Sequence, residues 1–280
     1  MKIDGRTISS NLQSKLKVRV NNLNKKGIIP TMAIILVGNN EASKIYVRQK
    51  GIKAEEIGAK VEVFPTSSQT TNKELAKLVK KLDKNPKIHG VIIQRPAGPD
   101  IDANALTELI SPIKEVDGFG SHSKYPVPVA EASLLLIKNA FEQINTKGSF
   151  SKWLKKQKIA VIGKGETAGR PIIDLLIKQG LKPHVIDSKT PDKEKLLKEV
   201  DIIITAVGKT ILNSKQIKKG VILIGVGLYS DENGKLRGDY DNLDVENIAS
   251  FYSPTPGGVG PVNVACLLDN LVKAAENSVS

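Results

Sequence analysis

The chain has 280 residues, of which 40% are hydrophobic and one is a cysteine, and its formal net charge is +13. The length suits two domains, the hydrophobic content argues against wholesale disorder, and a lone cysteine excludes an internal disulfide. Every apolar run is far shorter than the roughly 20 residues that cross a bilayer, and no apolar secretory segment opens the chain, so we expect a cytoplasmic protein without membrane contact.

The positive charge leaves three interpretations open: a solvated lysine-rich surface, a field that attracts anionic small molecules such as phosphates and polyglutamate, and a nucleic-acid partner. Aromatic residues make up only 4% of the chain and do not interleave with its basic residues. Proteins that hold single-stranded nucleic acid stack its bases on such rings. We therefore expect no nucleic-acid partner.

Apolar runs alternate with helical patterns through the first half of the chain, which is typical of α/β proteins with parallel sheets. Helices are predicted over residues 8–25, 41–57, 72–82 and 102–109. Strands are predicted over residues 31–37, 61–64 and 91–94, with a loop at 112–120. This order predicts a parallel sheet covered by helices.

The pattern restarts in the second half, after a boundary within residues 121–151, where a helix predicted at 130–143 bridges two domains. Strands are predicted over residues 159–163, 184–187, 202–206 and 221–226. Helices are predicted over residues 171–179, 192–197 and 262–277. The second half is therefore predicted to form an α/β domain of its own.

A glycine-containing turn follows the first strand of that second half. Gly163, Gly165 and Gly169 lie between the predicted strand and the next helix. Backbone N–H groups and a helix N-terminus at such a turn can hold a pyrophosphate. Because the spacing departs from the G-x-G-x-x-G fingerprint, an ordinary tight turn stays open as the alternative.

The end of the next strand bears on which dinucleotide would bind. Asp187 lies 22 residues after Gly165, where an acid accepts hydrogen bonds from the ribose hydroxyls of NAD. Lys164, Ser188 and Lys189 are the alternative, as partners of a 2′-phosphate. The residues alone leave both NAD and NADP open.

Tyr46 and Lys50 are four residues apart on one predicted helix and therefore share a face. A tyrosine ring can stack on a flat heterocycle, and a lysine beside it can move protons if desolvation or a nearby cation lowers its pKa. A lysine stem packed over a ring is the commoner explanation for such a pair, so both interpretations stand.

Two loops carry further candidates. Asp117 either caps a turn or binds the N–C–N edge of a pterin through two parallel hydrogen bonds. The stretch 254–261, PTPGGVGP, predicts a rigid loop whose backbone approaches a ligand closely. The histidines show no metal-ligand spacing, so no metal site is predicted; they are His89, His122 and His184.

Taken together, these segments resemble the bifunctional methylenetetrahydrofolate dehydrogenase/methenyltetrahydrofolate cyclohydrolases over nearly the whole chain and in the same order. The blocks that carry the resemblance are Ser43–Lys50, Gly90–Gln94, Val116–Phe119, Gly163–Pro171, Ser188–Thr190, Asp201–Gly208 and Pro256–Pro261. The tyrosine–lysine helix and the final PGGVGP block are specific when found together.

The resemblance implies an α/β protein of two domains with a folate cleft between them: an N-terminal catalytic domain of residues 1–120 with 262–280, and a Rossmann-like dinucleotide-binding domain of residues 121–261. It implies a homodimer and a tetrahydrofolate-borne substrate that can carry a polyglutamate tail. The implied activity is oxidation of 5,10-methylenetetrahydrofolate to 5,10-methenyltetrahydrofolate, with NADP+ favoured over NAD+, followed by hydrolysis to 10-formyltetrahydrofolate.

The resemblance also implies roles for individual residues. Lys50 is implied as the general acid/base, Gln94 as the residue that orients it, Tyr46 as the ring that stacks on the folate, and Asp117 as the pterin anchor. Further substrate contacts are implied at Ser43, Gly257 and Gly258. Cofactor contacts are implied at Gly163, Lys164, Gly165, Ser188, Gly208 and Leu228.

The chain departs from that family at several positions. The family's Gln-Leu-Pro-Leu-Pro is Gln94–Gly98 here, with arginine at position 95. Its Gly-Arg-Ser is Gly163–Gly165, where Lys164 replaces a bidentate phosphate binder with a point charge. Asp187 adds a negative charge where a 2′-phosphate would lie. Two alternatives therefore stay open: a cyclohydrolase with impaired dehydrogenase activity, and a non-catalytic folate- or dinucleotide-binding paralogue.

Overall fold

The computed structural model describes residues 1–144 and 147–278 and divides into two compact units. The three-stranded unit comprises Ser10–Pro128 with the C-terminal segment from Val264, and the five-stranded unit comprises Met1–Ser9 and Val129–Asn263. The N-terminal residues group with the five-stranded unit because they add backbone hydrogen bonds beside its last strand. This division differs from the predicted domains at residues 1–9, 121–128 and 262–263.

The chain up to residue 128 alternates helices with strands. Its strands are β1 (Thr31–Val37), β2 (Lys60–Thr66) and β3 (Gly90–Ile93), and its helices are α1 (Gly5–Asn24), α2 (Glu41–Glu56), α3 (Asn72–Asp83) and α4 (Ala103–Thr107). The strands are parallel in the order β2-β1-β3. Because β2 and β3 lie on opposite sides of β1, the strand order reverses between β1 and β3, and ligands bind α/β sheets at such switch points.

The second sheet is parallel in the order β10-β7-β6-β4-β5. Its strands are β4 (Ile159–Ile162), β5 (His184–Ile186), β6 (Ile202–Thr205), β7 (Ile222–Gly225) and β10 (Phe251–Tyr252), and a separate antiparallel hairpin joins β8 (Leu228–Ser230) to β9 (Leu236–Gly238). The remaining helices are α5 (Pro128–Gln143), α6 (Phe150–Leu154), α7 (Gly169–Lys178), α8 (Lys193–Leu197), α9 (Asn242–Val245) and α10 (Val259–Asn277). Here the order reverses between β4 and β6.

The central strand β1 is buried on both faces, as expected for a parallel sheet covered by helices. Alternate side chains of a strand point to opposite faces, so its seven residues divide between two hydrophobic clusters. One cluster holds Met32, Ile34 and Leu36 with Leu16 and Val20 of α1 and Leu268 and Val272 of α10. The other holds Ala33, Ile35 and Val37 with Leu75 and Val79 of α3 and Leu106 of α4.

The predicted α/β class is confirmed, and the longer predicted helices and strands are present within a few residues of their predicted ends. One local prediction is wrong: residues 259–261 form the first turn of α10 rather than a loop. No periodic signal in the sequence marks α6, β8, β9, α9 or β10, each of which is five residues or shorter.

Two general features accompany this fold. Across residues 1–144 and 147–278, no helix combines the length and apolarity that a bilayer crossing requires. The sole cysteine, Cys266, is buried in α10.

Candidate active site

Lys50 and Gln94 meet at the switch point of the three-stranded sheet. Asn40 caps α2 by accepting a hydrogen bond from the Ser43 amide, which sets where the helix starts and so where Lys50 lies. Gln94 directly follows β3, and its amide N donates to Ile35 O of β1 at 2.9 Å. Lys50 Nζ donates to Gln94 Oε1 at 2.9 Å.

The orientation of the Gln94 side chain is fixed by its second hydrogen bond. Gln94 Nε2 donates to Arg95 O at 2.8 Å, which leaves Oε1 as the acceptor that faces Lys50. The side chain is 8% exposed. Gln94 therefore holds the Lys50 amine in one place without adding a charge beside it.

Burial and one carboxylate set the acid–base properties of Lys50. Burial lowers the pKa of its amine, and the nearby Asp117 carboxylate acts in the opposite direction and raises it. Burial raises the pKa of Asp117, while Lys50 and Arg95 lower it. A lysine with a lowered pKa gives up its proton more readily and can take one back, as general acid–base catalysis requires.

The loop that carries Asp117 is held by buried polar contacts. Glu115 is 2% exposed and accepts a hydrogen bond from Gly120 N at 3.2 Å. Gly118 has a φ of +78°, and a Cβ there would lie 2.5 Å from Val127 N, so only glycine fits. Asn270 of α10 donates to Val116 O at 2.9 Å, next to Asp117.

Arg95 and Asn270 are site residues to which the sequence analysis assigned no role. Arg95 Cζ lies 4.6 Å from the centre of the Phe119 ring, and its Nη2 donates to Asn104 Oδ1 at 2.7 Å. The only signal for Arg95 was its departure from the family's leucine. No sequence signal marks Asn270, because a single buried amide in an apolar helix has no pattern.

Tyr46 and Ser43 lie on α2 with Lys50. The Tyr46 ring is 40% exposed, and partial burial raises the pKa of its hydroxyl. One helical turn separates it from Lys50, so both side chains occupy one face. Ser43 is 2% exposed, and within the described ranges its Oγ has no hydrogen-bond partner.

Gly257 and Gly258 belong to the five-stranded unit, unlike the other predicted substrate contacts. A Cβ on Gly258 would lie 2.6 Å from Pro254 O, and Gly257 has a φ of +102°. At Gly5, where α1 begins, a Cβ would overlap Gly258 O. The backbone is therefore packed closely against other backbone of the same unit, and the close approach to a ligand stays a prediction.

The glycine turn after β4 lies at the switch point of the five-stranded sheet. A Cβ on Gly163 would lie 2.5 Å from Ala206 O, after β6, and one on Gly169 would lie 2.2 Å from Gly163 O. Gly165 instead has nothing within 4 Å of its Cβ position and is exposed. Gly163 and Gly169 thus allow the backbone to pack closely at the base of the turn, and Gly165 leaves the tip of the turn open to a ligand.

The tip of this turn suits a pyrophosphate. Within the part of the chain that the structure describes, the amides of residues 164–167 donate to no other group of the protein, and α7 begins immediately afterwards at Gly169. Exposed N–H groups beside a helix N-terminus bind phosphate oxygens. These residues therefore fit a dinucleotide.

Asp239 organises the remaining cofactor-side residues. Its carboxylate is 0% exposed and accepts hydrogen bonds from the amides of Val207, Gly208 and Lys209 at 3.1, 2.7 and 3.2 Å. Gly208 is thereby held beside β8, with Leu228 O 3.6 Å from its Cβ position. Ser188 is exposed after β5, and the turn there holds Asp187.

The described residues hold no cluster of three or more histidine, cysteine, aspartate or glutamate side chains able to bind a metal. His89 instead has a structural contact: its Nδ1 accepts a hydrogen bond from Thr31 N at 3.2 Å.

Comparison with known proteins finds matches over both halves of the chain. Residues 3–117 match the family model described as tetrahydrofolate dehydrogenase/cyclohydrolase, catalytic domain. Residues 146–279 match the model described as tetrahydrofolate dehydrogenase/cyclohydrolase, NAD(P)-binding domain. The bifunctional protein FolD of Listeria innocua is 35% identical over 281 residues, covering 98% of this chain and 96% of that protein.

Solved structures agree with this result. The bifunctional FolD methylenetetrahydrofolate dehydrogenase/cyclohydrolase of Campylobacter jejuni superposes with a TM-score of 0.91 at 32% identity, covering 99% of both chains. The Trypanosoma brucei methylenetetrahydrofolate dehydrogenase-cyclohydrolase, solved with NADP cofactor and an inhibitor, superposes with a TM-score of 0.85 at 27% identity, covering 100% of this chain and 98% of that one.

Proposed function

This chain belongs to the tetrahydrofolate dehydrogenase/cyclohydrolase family, and we propose that Lys50, Gln94 and Asp117 are the centre of both of its reactions. It oxidises 5,10-methylenetetrahydrofolate to 5,10-methenyltetrahydrofolate and hydrolyses that product to 10-formyltetrahydrofolate. The observation that carries this proposal is the Lys50–Gln94 hydrogen bond of 2.9 Å beside a carboxylate, in a setting that lowers the pKa of the lysine.

Binding of the substrate is assigned to three side chains. Asp117, as a carboxylate, accepts two parallel hydrogen bonds from the N–C–N edge of the pterin. Tyr46 presents a half-exposed ring on which the flat heterocycle stacks. Ser43 offers a buried hydroxyl on the same helix. Gly257 and Gly258 are proposed as further substrate contacts through their backbone.

The dinucleotide supplies the acceptor for the hydride that leaves the methylene carbon, and NADP+ serves in this role. Gly163 and Gly165 would hold the pyrophosphate at the turn after β4, and Gly208 and Leu228 would lie on the nicotinamide side. The hydride leaves as the lone pairs of the two folate nitrogens form the methenyl cation, so no proton is transferred in this step, which takes place with Lys50 beside the ring.

Hydrolysis uses the neutral form of Lys50 first. The neutral amine accepts a proton from water as the water oxygen bonds to the methenyl carbon. The bond from that carbon to N5 then breaks, the proton passes from Lys50 to N5, and the hydroxyl on the carbon loses its remaining proton as it becomes the formyl carbonyl. The reaction consumes one water and releases one proton overall. Gln94 keeps the amine in place through both transfers.

The test is an assay of both reactions on purified wild-type protein and on Lys50→Met, with NADP+ and with NAD+. We expect the wild type to catalyse both reactions and Lys50→Met to lose the hydrolysis by about a hundredfold or more, the scale of general acid–base catalysis. Lys53→Met is the matched control and should keep both activities, because this lysine of the same helix has its side chain 37% exposed and pairs with Glu56 at 2.8 Å.

Each outcome of this assay supports a different conclusion about the function. Wild-type hydrolysis in Lys50→Met would contradict the lysine assignment. Hydrolysis without hydride transfer in the wild type would favour the cyclohydrolase alternative, for which the departures at Lys164, Gly165 and Asp187 are the supporting observation. Binding of folate or dinucleotide without turnover would instead identify a non-catalytic paralogue.

The proposal extends to the whole molecule. Residues 1–120 with 262–280 act as the catalytic domain, and residues 121–261 act as the dinucleotide-binding domain of a cytoplasmic homodimer.

Two exposed apolar side chains support self-association: Val185 on the edge strand β5, 41% exposed, and Ile177 on α7, 56% exposed. A mass of 30.3 kDa in sedimentation, that of one chain, would contradict the dimer.

A further inference from the structure

An ion pair joins the glycine turn to the end of the neighbouring strand. Lys164 Nζ lies 2.9 Å from Asp187 Oδ2. Gly163 N donates to Ile186 O at 2.9 Å, so the ends of β4 and β5 are adjacent and the pair bridges them. The carboxylate is therefore attached directly to the turn that suits a pyrophosphate.

The Asp187 carboxylate is held in one direction by the turn that follows it. Oδ1 accepts a hydrogen bond from Lys189 N at 2.9 Å and another from Thr190 Oγ1 at 3.2 Å, while Oδ2 faces Lys164. Lys164 first, and then the Lys189 amide and the Thr190 hydroxyl, lower the pKa of Asp187 to about 2. The group is thus a fixed anion at any pH where the enzyme would act, and its side chain is 29% exposed and open to a ligand.

In a bound dinucleotide, the adenosine ribose follows the pyrophosphate directly. An anion that touches the pyrophosphate turn at the end of the next strand therefore faces the ribose hydroxyls. Carboxylate oxygens accept hydrogen bonds from hydroxyls but repel a phosphate. Lys164, one of the candidate partners of a 2′-phosphate, is already paired with Asp187 and cannot serve that phosphate without leaving the carboxylate.

Building on the dinucleotide site of the proposed function, we infer that the Lys164–Asp187 pair is the cofactor-selectivity element of this enzyme. Asp187 accepts hydrogen bonds from the ribose hydroxyls of NAD+. The 2′-phosphate of NADP+ must displace Lys164 and approach the Asp187 carboxylate. NADP+ is accepted at this site, but NAD+ binds more tightly.

The test is isothermal titration calorimetry of the full-length protein with NAD+ and with NADP+, which reads binding and not turnover. In the wild type we expect the smaller Kd for NAD+. In Asp187→Ser we expect the Kd for NADP+ to fall about tenfold or more and that for NAD+ to rise. Asp187→Asn, which keeps the shape and removes the charge, should also tighten NADP+ and guards against misfolding of the serine variant.

Asp174→Ser is the matched control, because Asp174 is another ion-paired acid in the same unit, bonded to Arg170 at 2.9 Å. It removes the same charge and should leave the ratio of the two Kd values unchanged. An equal gain in NADP+ affinity in this control would overturn the inference in favour of a general charge effect.

Unchanged Kd values in both Asp187 variants, or weaker NADP+ binding in them, would overturn the selectivity role alone. Failure of the wild type to bind either dinucleotide would overturn the dinucleotide site of the proposed function, and this inference with it.

Discussion

Arg95 brings a second cation to the anion that is proposed to hold the pterin. It is fixed from two sides, by the Phe119 ring and by Asn104. Its charge lowers the pKa of Asp117, against the burial that raises it. Arg95 thereby keeps Asp117 ionised, and ready to accept hydrogen bonds, at lower pH than burial alone would allow.

Replacing Arg95 with leucine, the residue of the family pattern, should therefore raise the pKa of Asp117. As pH falls, the carboxylate is then protonated earlier, so the rise of KM for the folate on the acidic side should begin at higher pH. KM measured as a function of pH checks this, and Arg95→Lys, which keeps the charge, is the control. Identical KM profiles for Arg95→Leu and the wild type would show that Asp117 does not sense this charge.

At the scale of elements, the loop after β6 and the β8–β9 hairpin depend on one buried carboxylate. Asp239, next to the end of β9, accepts hydrogen bonds from three backbone N–H groups and has no exposed surface. Hydrogen bonds to charged groups stabilise more than neutral ones do, and a buried donor left without a partner is costly.

Asp239→Asn is accordingly expected to lower the free energy of unfolding by about 3 kcal/mol, because the amide offers one acceptor oxygen and sets an NH2 against backbone donors. Thermal or urea unfolding measures this change. Glu232→Gln, in the exposed hairpin turn, should change stability by less than about 0.5 kcal/mol. An equally small effect at Asp239 would mean that the three contacts contribute little.

The elements that were predictable from the sequence are those with a long periodic pattern. β1 shows an unbroken apolar run because helices cover both of its faces, and α2 has a capping asparagine before it and Gly58 after it. The hairpin and α9 were missed because three- or four-residue elements carry no period. They form through contacts such as those of Asp239, which are distant in sequence.

The residues of the candidate site were likewise predictable only where the sequence carries a spacing or a motif. The spacing of Tyr46 and Lys50 predicted a shared helix face, and the motif blocks led to Gln94 and Asp117. The sequence could not predict that Asp187 pairs with Lys164, because a pair formed across two strands depends on strand order rather than on spacing.

For the whole molecule, the net charge of +13 should matter for substrates that carry additional carboxylates. A positive field draws polyglutamylated folate more strongly than the monoglutamate, and salt screens that attraction. We expect KM to rise with sodium chloride for both substrates and more steeply for the pentaglutamate, with kcat little changed. Parallel rises in the two KM values would show that the tail lies outside the positive field.

The burial of Cys266 in α10 has a practical consequence for studies of motion. With its only native thiol shielded, the wild-type chain is nearly a cysteine-free background. Two cysteines introduced at exposed positions, one in each unit, would react with maleimide dyes or nitroxide labels well before Cys266 does. Fluorescence or spin resonance of such labels could then report on each unit as folate and dinucleotide bind.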